Sequence, residues 1–118
     1  MKHLLILLPT LLIGMAVQAQ QRINMNEQTK AAEVAVWDTY VTRKGGSVMH
    51  FDIIAPSSQR DTAVIHGYGR AYLESKGEGG QVLAAKECRF CHVRTLQPKW
   101  EADIRRQGYF ILEMENCD

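Results

Sequence analysis

Val34-Ala35-Val36-Trp37-Asp38-Thr39-Tyr40-Val41, followed by Arg43-Lys44-Gly45-Gly46 and then Ser47-Val48-Met49-His50-Phe51-Asp52-Ile53-Ile54, is the stretch that decides the fold. The first segment is dense in valine, threonine and aromatic residues, which a pleated surface accommodates. The glycine pair tolerates positive φ and supplies a turn. In the second segment Met49, Phe51 and Ile53 point one way, while Val48, His50, Asp52 and Ile54 point the other. Two such runs around a glycine-containing connection predict a β-hairpin.

Downstream, Ala55-Pro56-Ser57-Ser58 breaks the strand, and Ser58 or Asp61 is placed to cap a helix. Val64, Tyr68, Ala71 and Tyr72 recur at helical spacing and predict a helix over 60–76. Gly67 and Gly69 each weaken it by up to ~1 kcal/mol relative to alanine, so tertiary packing has to make up the difference. Gly77 suits the C-terminal cap, and Glu78-Gly79-Gly80 forms a loop. The segment 86–93 reads either as a short strand or as a metal-binding turn. Pro98 then opens a second helix that carries Trp100 and Ile104 on one face and ends at Gly108. Tyr109 to Met114 is a final strand, with Glu115-Asn116-Cys117-Asp118 as a tail. The order β-β-α-β-α-β predicts an α+β domain, with a small mixed β-sheet and both helices packed on one face.

Upstream, Lys2 precedes an apolar run from Leu4 to Val17, and Val17-Gln18-Ala19 follows it with small residues at the two cleavage positions. That order is the signature of a secretory signal. Fourteen residues at about 1.5 Å each fall short of the ~30 Å of hydrocarbon that a spanning helix must cross. Three segments follow: a signal peptide over 1–19, a polar lead-in over 20–33 and one domain over 34–118. The expected location is periplasmic or secreted, or cytoplasmic if translation starts at Met25, with membrane contact only transient through the export signal. The whole chain carries a formal charge of +1, and cleavage after Ala19 would remove Lys2 and bring it to zero. A neutral domain lacks the basic surplus that binds a phosphate backbone, so nucleic acid is not an expected partner.

Reactive side chains gather at Cys88-Arg89-Phe90-Cys91-His92. Cys-x-x-Cys-His is the spelling of covalent haem attachment, with Met114, Met49, His50 or His66 available as a second axial ligand. Cys88 and Cys91 also make half of a tetrahedral zinc site, which Cys117 with His50, His66 or His92 would complete. Paired thiols further admit redox chemistry or a disulfide, with one of the three cysteines left over. On a plain strand, by contrast, alternation sends Cys88, Phe90 and His92 to one face and Arg89, Cys91 and Val93 to the other, and the thiols merely pack. Same-side sulfurs would favour chemistry and opposite-side sulfurs packing.

A second polar group is visible on the hairpin. His50 and Asp52 share the less apolar face of the second strand, and with Asp38 on the neighbouring strand they form a group suited to acid–base work or a metal. On the solvent face of a hairpin the same residues are ordinary polar surface. Trp37, Tyr40, Tyr68, Tyr72 and Trp100 either line a groove or fill the core. No Ser-His-Asp order, glycine-rich phosphate loop or zinc-protease helix is present in the sequence.

Val36-Trp37-Asp38-Thr39-Tyr40-Val41, Val48-Met49-His50-Phe51-Asp52, Glu87-Cys88-Arg89-Phe90-Cys91-His92, Gly108-Tyr109-Phe110 and Met114-Glu115-Asn116-Cys117 together resemble the bacterial DUF2024 family, over about residues 34–118. The resemblance implies a compact α+β fold that starts with a hairpin, and it implies no activity. Members of that family are mostly short proteins without an export signal, a pattern from which residues 1–33 depart. The resemblance favours a thiol or metal role for the shared cysteines over a structural disulfide. The expectation is a small binding or structural domain rather than an enzyme, with Cys88, Cys91, His92, Cys117 and His50 as candidate metal ligands and zinc as the candidate ion. The alternative is an exported redox or c-type haem protein. An exposed edge strand would permit a homodimer.

Overall fold

In the computed structural model, residues 33–118 are described. The expected signal peptide over 1–19 and the lead-in up to residue 32 lie outside the described residues. Glu33, expected to close the lead-in, is instead the first residue of β1 (Glu33–Thr42). The chain continues through β2 (Val48–Pro56), α1 (Thr62–Ser75), β3 (Cys88–Thr95), α2 (Pro98–Gln107) and β4 (Phe110–Glu115). This is the expected order, in an α+β arrangement.

β1 and β2 form the hairpin, closed by a turn in which Arg43 N donates to Ser47 O at 2.8 Å and Gly46 N to Arg43 O at 2.9 Å. The sheet order is β3-β1-β2-β4. Every neighbouring pair is antiparallel, so the expected mixed sheet is corrected. Each helical connection delivers its strand to an outer edge, beside a hairpin strand that runs the opposite way.

The helices are corrected as well, because they cover opposite faces of the sheet. On the first face Ala35, Trp37, Val41, Met49, Phe51, Ile53 and Ala55 pack with Ile65, Tyr72 and Leu73 of α1 and with Leu83. On the second face Val34, Val36 and Ile54 pack against Trp100 of α2, flanked by Ile104, Phe110 and Leu112. The physical reason lies in the strands themselves. Val34, Val36 and Ile54 are apolar on the face that alternation assigns to His50 and Asp52, so that end of the second face also needs a cover. α2 covers that end alone. Four consecutive buried residues, Val34 to Trp37, mark the stretch of β1 enclosed on both sides, and beyond Trp37 burial alternates along the strand.

Two local details fix the helices. Asp61 caps α1, its carboxylate accepting from Ala63 N at 3.0 Å. Gly69, which propensity alone disfavours in a helix, sits where a Cβ would lie 2.5 Å from Leu83 Cδ1 and 3.1 Å from Ile53 Cδ1. A larger residue there would have to displace the Leu83 side chain that packs between α1 and the sheet, so this close packing favours the glycine. Gly108 ends α2 in the left-handed region at φ 97° and donates its N–H to Ile104 O.

Trp100 anchors the second core. Its indole N–H is buried with no hydrogen-bond partner among the described residues. Trp100→Ala is expected to lower stability by about 3–5 kcal/mol. Trp100→Phe is expected to lower it far less, because only packing is at stake. Urea denaturation of the two variants measures both effects.

Candidate functional site

Beyond the end covered by α2, no element among the described residues covers the second face of the sheet, and its polar side chains converge there. Asp38 on β1 is paired directly with Asp52 on β2, and Tyr40 with His50. His50 Nε2 lies 2.7 Å from Asp38 Oδ1 and 3.9 Å from Asp52 Oδ1. The phenol ring of Tyr40 stacks on the imidazole, with centroids 4.1 Å apart and planes 11° from parallel. His50 and Asp52 are half-buried, and Tyr40 stands out into solvent. From the opposite face the Cys117 thiol donates to the backbone carbonyl of His50 at 3.3 Å, which holds this part of β2 from beneath.

Two carboxylates opposed across a strand pair repel each other, and partial burial deprives them of water. Burial is the main reason that the Asp52 carboxyl is pushed up to about 6, helped by its hydrogen bond to Asp38 and by Asp38's charge, while His50 and His92 pull the other way. The group can hold a proton between the carboxyls, or replace that proton with a cation. One ligand atom each from Asp38, His50 and Asp52 lies within 4.8 Å of the others. Tetrahedral bonds of about 2.1 Å place ligand atoms about 3.4 Å apart, and the 2.7 and 3.9 Å contacts made by His50 bracket that spacing.

Of the five ligands expected from sequence, His50 belongs to this group. Cys88, Cys91, His92 and Cys117 are not drawn into any comparable cluster among the described residues. The segment over Cys88–Thr95 is a strand, paired to β1 with a register shift between Val36 and Trp37 that leaves Cys91 unmatched. Cys88 points into the first core, where the Thr39 hydroxyl lies 3.3 Å from its sulfur and burial pushes the thiol above its ordinary value. Cys91 is exposed and Cys117 buried; all three are free thiols. His92 lies opposite Val36, on the same face as Asp38. Trp37, Tyr72 and Trp100 are core residues and Tyr68 packs against the first core, stacked on Tyr109, so of the five aromatics Tyr40 alone lies at this site.

Sequence reading missed two contributions. The stacking of Tyr40 on His50 follows from the pairing register, which a turn-based count along the hairpin would have supplied. Arg89 faces Asp38 from β3, which strand alternation alone could not show without the pairing partner. A separate shallow groove of about 330 Å³ on α2 is lined by Pro98, Glu101, Ala102 and Arg105, and it brings together only the Glu101–Arg105 ion pair.

A small antiparallel α+β domain with an open polar patch on one sheet face is the class that fold and site define. The family model of a domain of unknown function, DUF2024, matches residues 32–114, and the chain belongs to that family. The chain is also similar to the NMR structure of protein NE1680 from Nitrosomonas europaea, at 38% identity and a TM-score of 0.64 over 73% of this chain and 99% of that one. No curated protein matches it.

Two outcomes follow from the geometry. The folded protein holds the Asp52 proton more tightly than the unfolded chain does. This contribution to stability is therefore complete below the ordinary value of 3.8 and is lost as the pH rises through about 6. It amounts to about 2–3 kcal/mol. Urea titrations of wild type and Asp52→Asn at pH 4 and pH 8 should differ by that amount, the variant lacking the loss at high pH. For the thiols, a disulfide reagent should label Cys91 in the native protein, with Cys88 and Cys117 reacting only on unfolding; peptide mass mapping reads the sites.

Proposed function

We propose that this member of the DUF2024 family is a small binding domain whose open sheet face holds a divalent transition-metal ion, zinc foremost, through Asp38, His50 and Asp52. The observation that carries the reading is the convergence of one imidazole and two carboxylates, one ligand atom from each lying within 4.8 Å of the others. Imidazole with carboxylate suits borderline divalent ions, and two carboxylates balance their charge. The cation would relieve the repulsion across the Asp38–Asp52 pair and take the place of the proton on Asp52.

The ligands sit on the two central strands of the sheet, which are paired from Val34↔Pro56 to Thr42↔Val48. Little conformational entropy remains to be lost on binding, and the stacked Tyr40 ring keeps the imidazole upright. The cysteines are not needed for this site, which gives the test a control.

Calorimetric titration with zinc should give one saturable site per chain, and thermal unfolding should shift upward with zinc, by the equivalent of about 2.7 kcal/mol at a hundredfold excess over Kd. His50→Ala should lower the affinity at least about tenfold. Cys91→Ser should leave it unchanged. Zinc binding that survives His50→Ala, or a wild-type protein that takes up no zinc, would sink the reading.

A further inference from the structure

The three donors leave a divalent ion short of ligands. A tetrahedral ion needs a fourth, and all three protein ligands come from β1 and β2, so the remaining position faces solvent. Two carboxylates cancel the charge of the ion, and the side chains around it then decide what kind of fourth ligand is attracted. The two flanks differ in sign. Towards β4, Leu112 is paired with Asp52 and Glu115 with His50, so that side is apolar and acidic. Towards β3, Arg89 is paired with Asp38, and His92 lies further along the same face, opposite Val36. Arg89 is exposed and has no ion-pair partner among the described residues. Its planar fork of donors matches the geometry of carboxylate and phosphate oxygens.

We propose that the metal ion held by Asp38, His50 and Asp52 takes a small oxyanion, a carboxylate or phosphate group, as its remaining ligand, with Arg89 anchoring that anion from β3. This rests on the metal reading above. One oxygen binds the ion while others accept from the guanidinium, and His92 adds a further donor at the edge. The site would thus capture an anionic small molecule, or the anionic end of a larger one, by a metal–arginine pair. Neither partner supplies enough alone, because an exposed arginine is fully hydrated and a neutral metal centre has no net pull on an anion.

The test uses cobalt(II) as the probe in the purified full chain. Its visible bands report coordination directly, and acetate and inorganic phosphate are titrated in separate arms. Saturable changes in the bands are expected with at least one anion, and the arm that responds identifies carboxylate or phosphate. Arg89→Met should weaken that anion by about tenfold or more while cobalt itself binds at least as tightly as in wild type, since a positive charge beside Asp38 is lost, and Arg89→Lys should restore part of the anion affinity. Cobalt bands that neither anion moves would overturn the oxyanion proposal and leave the metal reading standing. An anion response identical in wild type and Arg89→Met would overturn the role of Arg89. Absence of any cobalt bands would remove both readings together.

Discussion

The pairing register of β1 with β2 is the constraint on which the remaining structure depends. It runs from Val34↔Pro56 to Thr42↔Val48. In that register Trp37 meets Ile53, Thr39 meets Phe51 and Val41 meets Met49 on one face, while Val36 meets Ile54, Asp38 meets Asp52 and Tyr40 meets His50 on the other. A slip of β2 by one residue would exchange its faces, exposing Phe51 and Met49 to water and turning His50 and Asp52 under α1. Burying the apolar set stabilises the correct register by roughly 1.5–3 kcal/mol per large side chain, and a buried, unpaired carboxylate would oppose the slipped one. The hairpin thereby has one stable registration, and both the cores and the site descend from it.

Covering then proceeds unevenly. α1 and Leu83 close the first face, while α2 reaches only the end of the second face where Val34, Val36 and Ile54 lie. The quadrant left over has to remain hydrated, which explains its polar composition without explaining its charges. Two aspartates in direct cross-strand register are locally unfavourable, and a sheet selected only for stability would avoid them. His50 offsets part of the repulsion through its 2.7 Å contact with Asp38. Such a local conflict, held in place by a well-packed scaffold, is where a binding role is most economically placed.

Contacts at the turn end of the sheet and on its first face keep the quadrant in shape. Glu78, in the loop after α1, accepts from Lys44 N at 2.8 Å and from Arg43 Nε at 3.3 Å, and these partners hold its carboxyl below the usual carboxylate range. The same arginine donates to Asn116 O at 3.0 Å, tying the hairpin turn to the C-terminal tail. On the first face Glu113 of β4 accepts from the Tyr72 hydroxyl and pairs with Lys76 at 2.9 Å, which lowers its own pKa and, with burial foremost, raises that of Tyr72. Cys117 completes the ring of contacts beneath His50. β2, which carries two of the three site ligands, is therefore held along both faces and by β4 at its edge.

The local elements were legible along the chain because each has its own punctuation. Gly45-Gly46 made the hairpin readable, Asp61 and Gly77 bounded the first helix, and Pro98 and Gly108 bounded the second. Alternation along β2 also placed His50 and Asp52 on one face, and the candidate group with Asp38 was readable to that extent. The sequence by itself thus determined the hairpin, the α+β order and the polar character of one hairpin face, since these depend on neighbours a few residues apart. Only the tertiary structure decided that the helices lie on opposite faces, that Cys88 and Cys91 sit apart on a bulged edge strand, and that Arg89 stands beside Asp38. Those outcomes depend on which strand pairs with which and in what register, and that choice is made by burial summed over residues distant in the chain, which no local pattern records.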